Sequence, residues 1–590
     1  MKQILLMEVA KVLLVSLSWL WIGGSAWLWG KGALRLLKRL TGEAEESLDM
    51  TVLSGLCLLT VYAQIFSLFY KVGLLASALL LLGNLVLFFV LRRDLQKLIK
   101  KAVKSLCSAR KNLLGAAVFL ALCFFVLALS GGRVTHYDSY LYHAQSIRWI
   151  EEYGVVPGLG NLHNRLAYNS SFFCLQALFS LKFLVGQSLH SMNGFIALVF
   201  LSYGVFSMKA FRQRRFFASD FLRLTLFVLY TNDFGYLLIS SPGSDFPALG
   251  FTAYILIKWV SALEDGEKKT APYAQLCLLG VFAVSLKLSA AMIVLLTLLP
   301  AVWLIRQKKW GTIAVYIASG LLIIATFLAR NVIISGYLLY PYEALDLFSP
   351  DWKMPAYTLA FDRNEIKAWG WGLNDVRLFD TPFREWFPVW FSGLSAQLKA
   401  LFFASILSGA ASVPVGLWMG IKKKDWNFML VCGTMLCSMG FWFFGAPSPR
   451  YGMIYLTLLP FYILGLLAQR ASAFIKRDWI FSGAMATAVI VFIWPLGKGA
   501  VTGDLSYEKI CADYDSLACT EYFLGDQVIY VPDQGDQAGY YAFPSTPYAA
   551  RLDKIELRGE TLKEGFRMKE EYREAFVSTY GEVYEENMFE

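Results

Sequence analysis

Residues 131–173 read GGRVTHYDSYLYHAQSIRWIEEYGVVPGLGNLHNRLAYNSSFF and hold three of the chain's four histidines, His136, His143 and His163. Asp138 stands between Tyr137 and Ser139, and Arg133, Arg148 and Arg165 add permanent positive charge. A carboxylate held near a membrane surface can serve as a general base, taking the proton from an acceptor hydroxyl or amine. Asp138 is the candidate base, and His143 is a second candidate catalytic residue. Aspartate is also a good helix N-cap, and a helix over 139–152 would begin at Asp138. The two roles are compatible, because a cap fixes the carboxylate in place. In a regular helix His143 falls about 140° around the axis from Asp138, so the two do not share a face. Arg148 is a candidate substrate contact. So are His163 and Arg165, which form a polar knot with Asn161 and Asn164 behind a glycine-rich lead-in. The spacing of His and Asp matches no standard ligand motif, so neither a metal nor another cofactor is expected.

Four further positions carry charge beside apolar runs. Asp245 lies in the turn SSPGSDFP (240–247), Lys287 in VSLKLSA, Arg330 ahead of SGYLLYP, and Arg450 in GAPSPRYG (445–452). Charge at membrane depth is costly and points to function, although long cationic side chains also reach the interface by snorkelling. On one side of the membrane, Lys287, Arg330 and Arg450 suit an anionic ligand. A phosphate fits best, since arginine offers paired donors and lysine a point charge.

The elements that position these residues follow from composition. The chain has 590 residues, is 57% hydrophobic and 17% charged, and its mean hydropathy is +0.50. A soluble chain carries about 25% charge. Apolar runs of about 20 residues recur, long enough to cross a bilayer, and lipid forces such runs to be helical. The first, 4–29, exceeds a signal-peptide core and lacks a small-residue cleavage site, so it reads as a retained helix. No Walker loop, Rossmann fingerprint or short repeat is present, which argues against nucleotide chemistry and ATP-driven transport.

Charge is distributed unevenly. Residues 498–590 hold 9 Lys+Arg and 19 Asp+Glu, a balance of −10, and the remainder holds 45 and 25, a balance of +20. The excess lies in short basic loops, among them 31–39, 92–111, 306–310, 421–426 and 469–477. Such loops are topology signals that mark the cytoplasmic side, not nucleic-acid patches. They place 131–170, 330–398 and the tail outside. The segments sum to fourteen crossings, near 4–29, 50–70, 73–91, 112–130, 190–208, 221–239, 246–263, 272–286, 288–305, 311–329, 399–420, 427–444, 452–469 and 479–497. Residues 171–186 are too short to cross and read as a re-entrant or interfacial helix. The expected architecture is an all-α polytopic bundle of about 12–14 transmembrane helices in three parts: 1–111, 112–497 and the acidic 498–590. In the tail, QVIYVP (527–532) predicts a strand and 560–577 a helix, a small α+β domain. Cys511 and Cys519 stand eight apart, a spacing compatible with a local disulfide or with two free thiols.

A many-helix chain with a carboxylate in a large outer loop, basic residues in later outer turns and a polar tail resembles the GT-C superfamily of membrane glycosyltransferases. More narrowly, the stretch from YDSYLYH to NSSFF, with LKLSA, RNVIISGYLLYP, APSPRYG and LRGETLKEGFR, resembles a family of bacterial polytopic membrane proteins over roughly 131–577. The GT-C resemblance implies a polyprenyl-phosphate-linked sugar as donor and an extracytoplasmic glycan, lipid or protein as acceptor, at a bacterial plasma membrane. It makes Asp138 the base, and has Arg450, with Lys287 or Arg330, hold the lipid phosphate. The chain departs from that pattern in two ways. Three helices precede the one leading to the acidic loop, and no Asp-x-Asp or adjacent-acid pair follows Asp138. Two other functions fit the same features: an O-antigen-type polymerase or ligase relying on Arg450 and Arg330, and a polysaccharide or lipid flippase.

Overall fold

A computed structural model of the chain describes residues 2–107, 109–231, 237–502 and 514–573. Among these residues, twelve helices are long and apolar enough to cross a bilayer. Their many exposed leucines, valines and phenylalanines suit a lipid-facing surface. The protein is a multi-pass membrane protein with a small β region near its C-terminus.

Six helices carry the polar end of the molecule: α1 (Ala109–Ser130), α2 (Ala144–Tyr153), α3 (Asp245–Glu264), α4 (Thr270–Leu286), α5 (Ala356–Gly370) and α6 (Pro449–Ala471). Helices α1, α3 and α6 each run between a basic or charged loop and an end that carries polar residues of the 131–173, 240–247 or 445–452 stretches.

Of the fourteen expected crossings, 272–286 forms α4, of 17 residues, and 221–239 is helical in its described part from Ala218 to Thr231. Residues 171–186 contain the helix Ser171–Phe179, whose nine residues are all buried. At 1.5 Å per residue it is about 13 Å long, under half of the ~30 Å hydrocarbon core, so it packs inside the bundle without crossing. The helix expected to end at Arg330 continues to Ser335. The segment that follows is structured, with α5 and a second helix at Phe383–Gly393.

The tail holds two antiparallel hairpins. β1 (Cys519–Leu524) pairs with β2 (Gln527–Pro532), and β3 (Ile555–Leu557) pairs with β4 (Phe566–Met568). β2 is the predicted QVIYVP strand. The helix predicted over 560–577 does not form in its described part, to Arg573. Thr561 and Glu564 do make a capping box, but it closes a single 3-10 turn, because Gly565 takes φ +93° and turns the chain into β4. Cys519 carries a free thiol, and Cys511 lies outside the described residues.

The tail shares its core with α2 and the residues that follow it. Trp149 of α2 is buried against Phe543 and Phe566 at ring distances of 5.1 and 5.9 Å. The Phe566 N–H donates to the Pro157 carbonyl at 3.0 Å, and the Gln145 amide donates to the carbonyls of Gly539 and Ala542 at 3.0 and 2.7 Å. At Gly565 an added Cβ would sit 2.0 Å from the Pro157 carbonyl oxygen, on a backbone already in a glycine conformation. Gly565→Ala is therefore expected to loosen tail docking by about 2–4 kcal/mol. Limited proteolysis reads this directly: the variant's tail is cut faster than the wild type's while the transmembrane part stays intact, and equal rates would refute the expectation.

Candidate active site

Four helix ends that are far apart in sequence meet at Asp138. Asp138 precedes a π turn, Ser139–His143, closed by an Ala144 N–H to Ser139 carbonyl bond, and α2 follows it. The carboxylate makes no capping bond. Its Oδ2 accepts from Arg450 Nη2 at 2.6 Å, across 312 residues of chain. Arg450 also donates Nη1 to His136 Nε2 at 3.3 Å and Nη2 to the Tyr451 hydroxyl at 2.8 Å, and its Nε lies 3.7 Å from Asp245 Oδ2. Asp245 Oδ1 accepts from Lys287 Nζ at 2.5 Å. The Lys287 ammonium sits 4.1 Å from the centre of the Tyr451 ring. The result is an alternating chain of charge: Asp138, Arg450, Asp245, Lys287.

Each member is held by its local backbone. Asp245 begins α3 and Lys287 follows the last residue of α4, so each charge complements its helix dipole. Arg450 in the first turn of α6 opposes its dipole, and the two carboxylates offset this. The turn before Arg450 is fixed by two indoles: Trp390 donates to the Pro447 carbonyl at 2.7 Å and Trp442 to that of Ser448 at 2.9 Å. The turn before Asp245 is fixed by the Asn193 amide, which donates to the carbonyls of Ser241 and Gly243 at 2.5 and 2.9 Å. Gly243 has no side chain because His143 lies there; an added Cβ would stand 2.8 Å from its Cε1.

The π turn changes the relation of Asp138 to His143. A π turn closes its hydrogen bond over five residues where an α-helix closes over four, so the 140° separation of a regular helix does not apply across it. His143 stacks on His136, with ring centres 5.8 Å apart and planes 2° from parallel, and the edge of Tyr142 meets it at 4.4 Å. Burial pushes the His136 imidazole down to about 4 and that of His143 to about 3, so both are neutral at pH 7. Burial also pushes the Asp138 carboxyl up, but the charge of the Arg450 guanidinium beside it leads the opposing effects, which hold the group below the usual carboxylate range.

The structure thus brings together Asp138, His143, Asp245, Lys287 and Arg450 of the expected site residues. It leaves Arg330 elsewhere, donating Nε to Asn169 Oδ1 at 3.0 Å and Nη1 to the Ser67 hydroxyl at 2.5 Å. Arg148 holds the tail, donating to the Tyr540 carbonyl at 2.8 Å with its guanidinium 4.4 Å from the Phe543 ring. His163 and Arg165 belong to a second polar cluster with Asp362 and Glu365. Sequence reasoning assigned no role to His136, Tyr451, Asp362 or Glu365. The i, i+3 spacing of the last two, both on α5, was the available signal.

The four charges cancel. An incoming phosphate can compete with the carboxylates for Arg450 and Lys287, and in doing so it releases Asp138 from its ion pair. Among the described residues no group of three or more His, Cys, Asp or Glu could hold a metal ion. Residues 12–457 match a family described as a domain of unknown function, DUF8201. No curated protein and no solved structure matches the chain.

Proposed function

The chain belongs to the DUF8201 family, and for this member we propose a GT-C-like membrane glycosyltransferase that uses a polyprenyl-phosphate-linked sugar. The observation that carries this reading is the junction of Asp138, Arg450, Asp245 and Lys287 at one end of the bundle. The basic loops lie at the opposite ends of α1, α3 and α6. By the positive-inside rule those loops face the cytoplasm and the junction faces outward, at a bacterial plasma membrane.

The lipid anchor brings the donor's phosphate to the membrane surface, where the junction supplies a guanidinium and an ammonium. As the phosphate takes the Arg450 donors, the Asp138 carboxylate is freed and its proton affinity rises toward the ordinary range. It then removes the proton from an acceptor hydroxyl. The acceptor oxygen bonds to the anomeric carbon while the bond from that carbon to the phosphate oxygen breaks. The electron pair leaves on the phosphate, which Arg450 and Lys287 stabilise. The products are the glycosylated acceptor and polyprenyl phosphate, with the proton on Asp138 returning to water.

Arg330 is engaged by Asn169 and Ser67, which favours this reading over a polymerase or ligase that relies on Arg330 and Arg450 together. The test uses the purified full chain in proteoliposomes with radiolabelled polyprenyl-phosphate hexoses and a bacterial envelope glycan extract. The expected result is label in the glycan with release of free polyprenyl phosphate. Label that crosses the bilayer still attached to its lipid, with no covalent product, makes the protein a flippase.

A further inference from the structure

The C-terminal tail grips the backbone on both sides of Asp138. Before it, Arg133 pairs with Asp515, the Tyr137 hydroxyl donates to Asp536, and the Tyr137 carbonyl accepts from Gln537 Nε2 at 3.3 Å. After it, the Gln145 amide reaches two tail carbonyls and Arg148 donates to a third, that of Tyr540. Between these stands Tyr140, buried in a cluster with Val134, Ala144, Tyr514 and Tyr540. The Tyr140 hydroxyl accepts from the Asp515 N–H and donates to the Val134 carbonyl, both at 2.9 Å. The Asp138 carboxylate itself is bonded to Arg450.

One tail bond bears directly on the π turn. In a regular α-helix the Ala144 N–H donates to the carbonyl four residues back, that of Tyr140. Here it passes over Tyr140 and donates to Ser139. The Tyr140 carbonyl accepts instead from the Gly539 N–H of the tail, at 2.8 Å. A carbonyl drawn to a partner outside the helix leaves the regular ladder, and the next bond then closes one residue wider, which makes a π turn. Gly539 suits this close approach. It takes φ +72°, a conformation that favours glycine, and an added Cβ would stand 3.0 Å from Leu517 Cδ1. The Gln145 amide holds the same residue by its carbonyl at 3.0 Å.

We propose that the tail sets the geometry of the Asp138 centre, with Gly539 as its positioning residue. The Gly539 N–H draws the Tyr140 carbonyl out of the helix and so fixes the π turn that joins Asp138 to His143. The tail thereby acts on transfer without touching the reacting atoms. Its effect on transfer rests on the glycosyltransferase reading, whereas its effect on the turn does not.

The test replaces Gly539 by glycolic acid in the full chain, through nonsense suppression. The backbone N–H becomes an ester oxygen and no side chain is added. Wild type and variant are compared in lipid bilayers by carbon and nitrogen NMR of labelled histidines, by limited proteolysis of the tail and in the transfer assay. The chain has only four histidines. His136 bonds to Arg450 and stacks on His143, so the signals of this pair report the geometry where the turn meets the charges. In the ester variant the pair's signals are expected to move, kcat to fall about tenfold and the donor KM to stay within about twofold. Gly539→Ala, whose side chain strains the same turn, is expected to move the signals further. A tail that only packs on the turn would be cut faster in both variants while the pair's signals stay in place, and that pattern overturns the proposal. So does an unchanged kcat in the ester variant of a protein that transfers sugar. If the pair's signals move as expected but the wild type transfers no sugar, the hold of the tail on the turn stands and the glycosyltransferase reading falls.

Discussion

Arg450→Gln is expected to lower glycosyl transfer about 10³-fold and to destabilise the folded protein by about 3–5 kcal/mol. Both effects come from one geometry. The Arg450 side chain is 19% exposed and lies between Asp138 and Asp245, which are 15% and 12% exposed. Removing the cation leaves two carboxylates facing each other at low solvent exposure, with Lys287 bonded to only one of them. Glutamine keeps much of the volume, so lost packing contributes little. Thermal unfolding in detergent and the transfer assay read the two effects separately. The double variant Asp138→Asn/Arg450→Gln removes one of the stranded charges and is expected to regain most of the stability and none of the activity. Arg450→Lys retains charge without the fork, so it should fold well and transfer poorly. An active, stable Arg450→Gln protein would break the assignment of the junction as the phosphate site.

The second large effect is expected at Asp138. Asp138→Asn keeps the shape and an oxygen that can accept from Arg450, but it removes the proton acceptor. Transfer should fall about 10²–10⁴-fold with the fold preserved. Asp245→Asn provides the contrast: it loosens the anchor of Lys287 and is expected to raise the donor KM more than it lowers kcat. Equal kcat losses in the two variants would make Asp138 a structural partner of Arg450 and not the base. The pH dependence of stability follows from the same groups. The Asp138 carboxyl is depressed, so its contribution is complete above the unfolded value near 3.9 and is lost as pH falls through the lower folded value. His136 and His143 take up protons near 6.5 when unfolded but only at about 4 and about 3 when folded. The unfolded chain therefore binds more protons between those limits, and stability falls as pH drops below about 6.5. A melting temperature flat from pH 7 down to 4 would contradict the neutral, buried histidine pair.

Much of the architecture was legible because it is a property of local windows. Runs of apolar residues reveal where helices cross lipid, since lipid offers the backbone no partners, and β2 showed in its alternation. The run read over 272–286 forms α4, two residues longer at its start, because a helix continues past its apolar stretch until the backbone turns extended, here at Lys269 and Lys287. The 560–577 segment failed for a different reason. Its capping box starts a helical turn, but Gly565 ends it at once, and a glycine's choice of φ is settled by what it must approach, here the Pro157 carbonyl.

The site divides along the same line. Residue chemistry at helix ends was enough to select Asp138, Asp245, Lys287 and Arg450, because charge beside an apolar run is costly wherever it stands. Nothing in any window distinguished Arg450 from Arg330. Only the tertiary structure set the first against Asp138 and the second against Asn169 and Ser67. It also inserted the π turn that carries His143 round to stack on His136. By itself, then, the sequence determined that this is a membrane-embedded helical protein with a few charges stranded at its helix ends. Tertiary structure decided which of those charges meet, because contacts between residues hundreds of positions apart are made by the packing of whole helices.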